Sequence, residues 1–280
     1  MSKEPIIGWW SGGVTSAVAC KLTQNIYGKD RVRMVFIDTR NEDEDTYRFM
    51  EDCQNWYDVE IETITSNEYQ SVRDVWYKHL SLNVANGAVC SYKMKRVVRE
   101  KWQKDNPYEH QVFGFDSLES RRAMALRMNH PKVKPIFPLM FYGMVKKDCI
   151  DLLQEIGIEP PRTYRLGFHN NNCFNTGCVQ GGIGYWQKIK REYPDKFEEM
   201  AKVEHELTDL KGEPVTMLKD QAKGGGLLFL KPHPDYPETK DISQKKGREP
   251  KPLMECNGFC GTNDLEKPSQ TYLELNLDNE

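Results

Sequence analysis

A serine- and glycine-rich turn near the start of the chain has the composition of a phosphate-binding loop. The apolar run Ile6–Trp10 leads into Ser-Gly-Gly-Val-Thr-Ser at residues 11–16, and a segment rich in Ala and Val follows. This order predicts a strand, a tight turn and the first turn of a helix. Glycine lets the backbone approach a ligand closely, and the N–H groups at a helix start attract anions. The predicted phosphate-binding residues are Ser11, Gly12, Gly13, Thr15 and Ser16; a polar β-to-α connection without a ligand is the alternative.

Cysteines provide the second candidate for chemistry. Cys173 and Cys178 are separated by four residues, and Cys256 and Cys260 by three. Two close pairs suit a four-thiolate site, which would hold tetrahedral Zn²⁺ or an iron–sulfur cluster. Neither pair has the tight C-x₂-C spacing of a zinc ribbon. A redox thiol pair and structural thiols without a metal are the alternatives.

The elements that must position these residues alternate along the first half of the chain. Residues 31–37 and 59–64 predict strands, and residues 46–57 and 71–82 predict helices. Such alternation is typical of βαβ units with a parallel sheet, whose ligands sit beyond the carboxyl ends of the strands. We therefore expect Asp38 and Thr39, which follow the second strand, at the same edge of the sheet as the turn at residues 11–16.

Size, charge and composition are those of a globular protein. The chain has 280 residues, of which 38% are hydrophobic and 29% charged, and its formal net charge is −3. No apolar run is long enough to cross a bilayer, and the first residues lack a signal-peptide core. We therefore expect a cytoplasmic protein with no membrane partner, whose cysteines serve as thiols or metal ligands. A net charge of −3 argues against a protein whose whole surface binds nucleic acid, although it is compatible with a local basic patch.

Further motifs follow the turn in a fixed order. Ile-Asp-Thr at residues 37–39 precedes Asp-Thr-Tyr-Arg-Phe at 45–49, Cys90 precedes Lys95 in a basic segment, and residues 114–122 read Gly-Phe-Asp-Ser-Leu-Glu-Ser-Arg-Arg. With Ser-Gly-Gly-x-x-Ser, these resemble the PP-loop, "DTG…ET…F", "C-x-x-x-x-K" and "G-x-R-x-x-E-S-x-R" motifs of the phosphoadenosine phosphosulfate (PAPS) reductase-like family. That family belongs to the PP-loop adenine nucleotide α-hydrolase superfamily. The resemblance covers roughly residues 5–180 and departs from the family pattern at four positions: Thr15 for Asp, Arg40 for Gly, Asp45 for Glu and Asp116 for Arg.

The resemblance implies an α/β fold with a Rossmann-like (HUP-type) parallel sheet flanked by helices. We expect this nucleotide-binding domain at residues 1–165 and a helical, cysteine-rich extension at residues 166–280. Within the extension, a flexible arm at about residues 219–253 would return Cys256 and Cys260 to Cys173 and Cys178.

The resemblance also implies roles for individual residues. Asp38, Thr39, Gly114, Glu119, Ser120 and Arg122 join the turn as expected contacts of an adenine nucleotide. Cys90, Lys93 and Lys95 are the expected catalytic residues. Relatives that carry a [4Fe–4S] cluster draw a ligand from the cysteine of C-x-x-x-x-K, which makes Cys90 an alternative ligand beside Cys173, Cys178, Cys256 and Cys260, with zinc as the alternative metal.

Three functions fit this reading. In the first, ATP, with Mg²⁺, is cleaved to pyrophosphate while an acceptor is adenylated before sulfur transfer to a nucleic acid or sulfur carrier. In the second, a thiol attacks PAPS and sulfite is released; residues 255–259 match only the first two positions of the "E-C-G-x-H" motif of that branch. In the third, a nucleotide- or redox-sensing protein keeps the pocket without turnover. An oligomer is compatible with all three.

Overall fold

The candidate site lies on a sheet of five parallel strands. A computed structural model describes residues 4–84, 87–171, 173–221 and 225–253. The strands are β1 (Ile6–Trp10), β2 (Val32–Asp38), β3 (Ile61–Thr65), β4 (Asn83–Val84), β5 (Gly87–Ala88), β6 (His110–Val112), β7 (Pro135–Ile136), β8 (Leu218–Lys219) and β9 (Leu227–Leu228). The large sheet has the order β3-β2-β1-β6-β7, and the pairs β4–β5 and β8–β9 are separate antiparallel ladders.

Helices connect the strands and build the second half of the chain. They are α1 (Val14–Tyr27), α2 (Glu44–Tyr57), α3 (Val72–His79), α4 (Val89–Ser91), α5 (Val97–Asp105), α6 (Ser120–Asn129), α7 (Pro138–Phe141), α8 (Lys146–Glu155), α9 (Arg162–Arg165), α10 (Ile183–Glu192) and α11 (Pro194–Lys211). A π-helical turn, Tyr92–Arg96, joins α4 to α5, and 3₁₀ turns cover Lys29–Arg31, Ser117–Glu119, Pro131–Val133 and Ile242–Gln244. No helix in the described ranges combines the length and apolar character needed to cross a membrane.

The strand order places a crevice beside β1. From β1 the chain moves outward through β2 to β3, and it later returns to the other side of β1 for β6 and β7. Every pairing in this sheet is parallel. Open α/β sheets bind their ligands beyond the carboxyl ends of the strands at such a reversal. The predicted Rossmann-like α/β fold is confirmed, and its reversal point lies where the turn at residues 11–16 begins.

Alternating side chains of β1 build a core on each face of the sheet. Ile6 and Trp10 pack with residues of α1, α2 and α8, whereas Ile7 and Trp9 pack with residues of α5 and α6. All four side chains are buried. Because burial of one large apolar side chain contributes about 1.5–3 kcal/mol, β1 anchors both helical layers.

A third core holds the second half of the chain together. Residues of α10 and α11 pack with α3 and with β8 and β9, around the buried Trp186. Residues 245–248 lie against α10, where Gln187 donates to the carbonyls of Lys245 and Lys246 at 3.2 Å and accepts the N–H of Arg248 at 3.1 Å. The polar segment after β9 therefore has defined contacts with the helices.

A buried carboxyl group in α11 predicts a pH-dependent stability. The oxygens of Glu204 accept the N–H groups of Met217 at 2.8 Å and Leu230 at 2.7 Å, and burial raises the pKa of Glu204 to about 8. Between pH of about 5 and about 8 the unfolded chain has released a proton that the folded state keeps. The free energy of unfolding should therefore fall over this range, by on the order of a few kcal/mol. Glu204→Gln should flatten the slope in urea unfolding measured at each pH, and an equal slope in both proteins would contradict this.

Candidate active site

The turn at residues 11–16 is closed by its own serines. Ser16 Oγ accepts the N–H of Ser11 at 3.0 Å and donates to the carbonyl of Gly13 at 2.8 Å. Gly12 has φ +82°, a conformation that side chains rarely adopt. The N-cap residue of α1 is Gly13, which has no side chain to accept a hydrogen bond from the first turn of the helix. The positive end of the α1 dipole thus lies at the carboxyl edge of the sheet, where it suits an anion.

Gly114 supports this turn from the neighbouring strand. It follows β6, and a Cβ atom at this position would lie 2.6 Å from the nitrogen and 2.7 Å from the Cα of Ser16. Those distances are too short for real atoms, and the neighbours are backbone that cannot rotate away. Only glycine therefore fits, and the contact fixes the start of α1 at the reversal point.

Asn171 connects the turn to the cysteine-rich segment. Its side chain is only 5% exposed, and Nδ2 donates to the carbonyl of Gly12 at 2.8 Å and to Thr46 Oγ1 at 2.9 Å. Its Oδ1 accepts the hydroxyl of Thr163 at 3.0 Å. Asn171 is absent from the sequence-based set; the run of three asparagines directly before Cys173 was the available signal.

Asp38 and Thr39 reach the same edge at the end of β2. The Asp38 carboxylate accepts the hydroxyl of Tyr47 at 3.0 Å and the N–H of Arg40 at 2.7 Å. Burial and the neighbouring Asp38 charge raise the pKa of Tyr47, so its hydroxyl stays protonated and donates. Arg40, at the motif's glycine position, adopts φ +56°. The turn geometry that glycine would favour is therefore kept in spite of the substitution.

Three cysteines converge on one cavity beside this edge. Cys90, Cys173 and Cys178 line a small cavity of about 20 Å³ together with Thr39 and Lys95. Cys178 is buried, and the other two are partly buried. Cys173 Sγ lies 3.5 Å from Thr39 Oγ1, so the cavity adjoins the end of β2 directly. Cys256 and Cys260 lie outside the described residues.

Lys95 brings a buried cation to this cavity, whereas Lys93 does not. Lys95 Nζ lies 3.7 Å from Glu42 Oε1, and the two side chains are 7% and 1% exposed. Glu42 also accepts the hydroxyl of Thr39 at 2.8 Å. A nearby cation favours the ionised form of a thiol. Lys93 lines a separate groove with Trp102, so the two predicted catalytic lysines lie at different places.

The three thiols can be compared with the ligand set of a single zinc ion. Four thiolates around one Zn²⁺ ion, with Zn–S bonds of about 2.3 Å, lie about 3.8 Å from one another. In the part of the chain that the structure describes, the group of three potential ligands that lie within 4.8 Å of one another is Asp209, His233 and Asp235. The three sulfurs of Cys90, Cys173 and Cys178 do not all lie within 4.8 Å of one another, so they do not form a ready-made ligand set for a single zinc ion.

Asp209, His233 and Asp235 have the geometry of a carboxylate–imidazole pair. The N–H of Asp235 donates to Nδ1 of His233 at 3.2 Å, which leaves the imidazole proton on Nε2. Nε2 faces Asp209 Oδ1 at 3.3 Å. Metal binding through Nε2 would require this proton to move to Nδ1, which would cost the hydrogen bond that Nδ1 accepts from Asp235. The buried ring of His233 also packs against His205, with centroids 4.6 Å apart.

Comparison with known proteins assigns the chain to a family. The family model described as the phosphoadenosine phosphosulfate reductase domain matches residues 5–179. The chain belongs to this PAPS reductase domain family. The match spans the turn, the edge of the sheet and all three cysteines of the cavity. The family resemblance predicted from the motifs is thereby confirmed.

Individual relatives of this PAPS reductase domain are distant. An uncharacterized protein of Methanocaldococcus jannaschii is 29% identical over 217 residues, which are 74% of this chain and 43% of that protein. The chain thus spans less than half the length of this relative. A PAPS reductase from Candida auris, solved as a phosphate complex, has a TM-score of 0.48 at 16% identity over 61% of this chain and 82% of its own. A U34-tRNA thiolase from Methanococcus maripaludis, solved with its [4Fe–4S] cluster, has a TM-score of 0.40 at 14% identity over 73% and 72%.

The segment after β6 departs from the family motif at Asp116. The Asp116 carboxylate accepts the N–H of Leu118 at 2.9 Å and the N–H of Lys146 at 3.1 Å. It therefore caps a 3₁₀ turn and the start of α8. Glu119 pairs with Arg122, whose guanidinium lies 4.2 Å from the Phe115 ring. Ser120, the first residue of α6, is exposed.

Proposed function

We propose that this protein binds ATP at the turn of residues 11–16, cleaves it between the α and β phosphates, and prepares an acceptor for sulfur transfer. One observation carries the proposal: Cys90, Cys173 and Cys178 share a cavity that adjoins Thr39, at the same edge of the sheet as the turn. A phosphate-binding turn beside clustered thiols suits a reaction that joins nucleotide activation to sulfur chemistry. The acceptor would be a nucleic acid, reached directly or through a sulfur carrier.

The residues of the turn would act on the phosphates. An oxygen of the acceptor attacks the α-phosphorus, the bond from that phosphorus to the α–β bridging oxygen breaks, and pyrophosphate leaves with that oxygen. The α1 N-terminus, with Mg²⁺ on the nucleotide, stabilises the charge that develops. Asn171 and Gly114 hold the turn in place. A hydrosulfide donor then attacks the activated carbon of the acceptor, and AMP leaves.

The thiols would hold the sulfur-transferring group. Cys90, Cys173 and Cys178 are the proposed ligands in the described ranges, with Cys256 or Cys260 completing the set. The N–H of Leu253 donates to Asn170 Oδ1 at 2.9 Å, which supports a path of the chain from the arm toward Cys173. A [4Fe–4S] cluster bound there would supply a site that holds sulfide.

Product analysis with anaerobically purified protein tests the proposal. We expect pyrophosphate release from ATP in the presence of acceptor and sulfide, and no sulfite release from PAPS. Sulfite without pyrophosphate would instead identify a sulfonucleotide reductase, which the family name and Thr15 support. Tight nucleotide binding with neither product would identify a sensor. The visible spectrum of the same sample distinguishes an iron–sulfur protein from a zinc protein.

A further inference from the structure

The two helical layers of the sheet differ strongly in charge. The layer formed by the π-helical turn, α5 and α6 is called the basic layer here; it comprises residues 92–105 and 120–129. It has nine basic and two acidic side chains, whereas α1, α2 and α8 on the opposite face have four basic and seven acidic ones. The chain as a whole has a net charge of −3, so this positive charge is concentrated on one face. The basic side chains are Lys93, Lys95, Arg96, Arg99, Lys101, Lys104, Arg121, Arg122 and Arg127, and the acidic ones are Glu100 and Asp105.

The basic layer is one continuous surface. Val98 of α5 and Leu126 of α6 belong to the same core on one face of the sheet. His130, at the end of α6, has its pKa lowered by burial and by the neighbouring charges of Arg99 and Arg96. The two helices therefore lie close to each other. Four of the cations are exposed to solvent: Lys101, Lys104, Arg121 and Arg127.

An exposed aromatic ring marks the end of this layer near the thiols. Tyr92 is 47% exposed and lies two residues after Cys90. The ammonium of Lys93 and the guanidinium of Arg96 each lie 5.8 Å from the centre of its ring. An aromatic ring flanked by cations is the usual platform on which an unpaired base stacks while its phosphates are neutralised.

We infer that the basic layer is a docking surface for single-stranded nucleic acid. The phosphates lie along the exposed cations of α5 and α6, and a base stacks on Tyr92 beside the thiol cavity. The exposed cations favour binding of a polyanion, and the exposed ring favours a polyanion whose bases are unpaired and can stack. The inference rests on the proposed function in one respect: the acceptor proposed there is a nucleic acid, and the basic layer gives the side from which a single strand of it approaches.

Binding of a fluorescent single-stranded oligonucleotide at several salt concentrations tests this surface. Replacement of Lys101, Lys104, Arg121 and Arg127 by Gln should weaken binding of the full chain by 100-fold or more, on the order expected when several phosphate contacts are lost, and reduce the slope of log K against log salt by about 3. The matched control replaces four exposed lysines elsewhere by Gln: Lys147, Lys190, Lys202 and Lys211. Equal losses in both quadruple variants, or no binding by the wild type, would overturn the inference.

Substitution of Tyr92 separates base stacking from plain charge. Tyr92→Ala should weaken binding about tenfold, and Tyr92→Trp should restore it. If Tyr92→Ala has no effect and heparin competes as well as the oligonucleotide, the surface binds polyanions in general and the inference fails. ATP binding measured in each variant keeps the two proposals apart. If the wild type binds ATP but no oligonucleotide, only the docking surface is contradicted. If it binds the oligonucleotide but no ATP, only the proposed ATP-dependent reaction is contradicted.

Discussion

Gly114→Ala should weaken nucleotide binding by at least about 100-fold while the protein stays folded. The new Cβ would meet the nitrogen and Cα of Ser16 at 2.6 and 2.7 Å, so either the start of α1 or the segment after β6 must move. Both segments border the proposed phosphate site. Displacement of binding groups by about 1 Å can cost about 100-fold, and we expect ATP affinity in calorimetry to fall by at least about that factor.

The chain offers a matched control for this substitution. Gly226 has no atom within 4 Å of its ideal Cβ position and no left-handed backbone, so Gly226→Ala should bind ATP like the wild type. Thermal unfolding of both variants shows whether they are folded at the temperature of the binding assay. A loss of ATP affinity in folded protein then comes from the turn. Wild-type affinity in folded Gly114→Ala protein would remove the turn as the nucleotide site.

The sheet and its phosphate turn could be predicted because their signals are local. The apolar run before Gly12 and Gly13 fixes a strand and a turn, and the alternation of strands with helices leaves few topologies. The predicted ends of elements differ from the observed ones by a few residues. The helix predicted at residues 71–82, for example, is α3 (Val72–His79), because Leu80 takes a left-handed conformation that ends it.

The contacts that assemble the site could not be predicted, because they join distant parts of the chain. Glu42 and Lys95 form a buried pair, yet each looks like a surface residue in the sequence. Lys93 and Lys95 stand two positions apart on a helical segment and so point to different sides, and the sequence alone could not select the one that faces the thiols. Asp116 stands in the sequence only as a departure from the motif's arginine, and the structure shows a capping residue at this position.

Cys178→Ser should eliminate sulfur transfer and leave ATP cleavage intact. Cys178 lines the thiol cavity and is held there by its N–H, which donates to the Tyr185 hydroxyl at 3.1 Å. Serine keeps the backbone contact and the approximate size but offers a poor ligand for iron. We expect a colourless or substoichiometric protein, loss of thiolated product below detection, and pyrophosphate release within about twofold of the wild type, in line with independent sites. Cys149 is a buried residue of α8, and Cys149→Ala is the cysteine control that should retain both activities.

We expect ATP cleavage and sulfur transfer to be separable because different contacts hold the turn at residues 11–16 and Cys178. The turn is held by Ser16, Gly114 and Asn171, whose contacts described above are with the turn itself, Thr46 and Thr163. Asn171 stands only two residues before Cys173, so Cys173→Ser should disturb both activities more than Cys178→Ser does. If Cys178→Ser loses pyrophosphate release as completely as thiolation, the thiols and the phosphates belong to one chemical step, as in a reductase. If it keeps full thiolation, the cavity is not where sulfur is transferred.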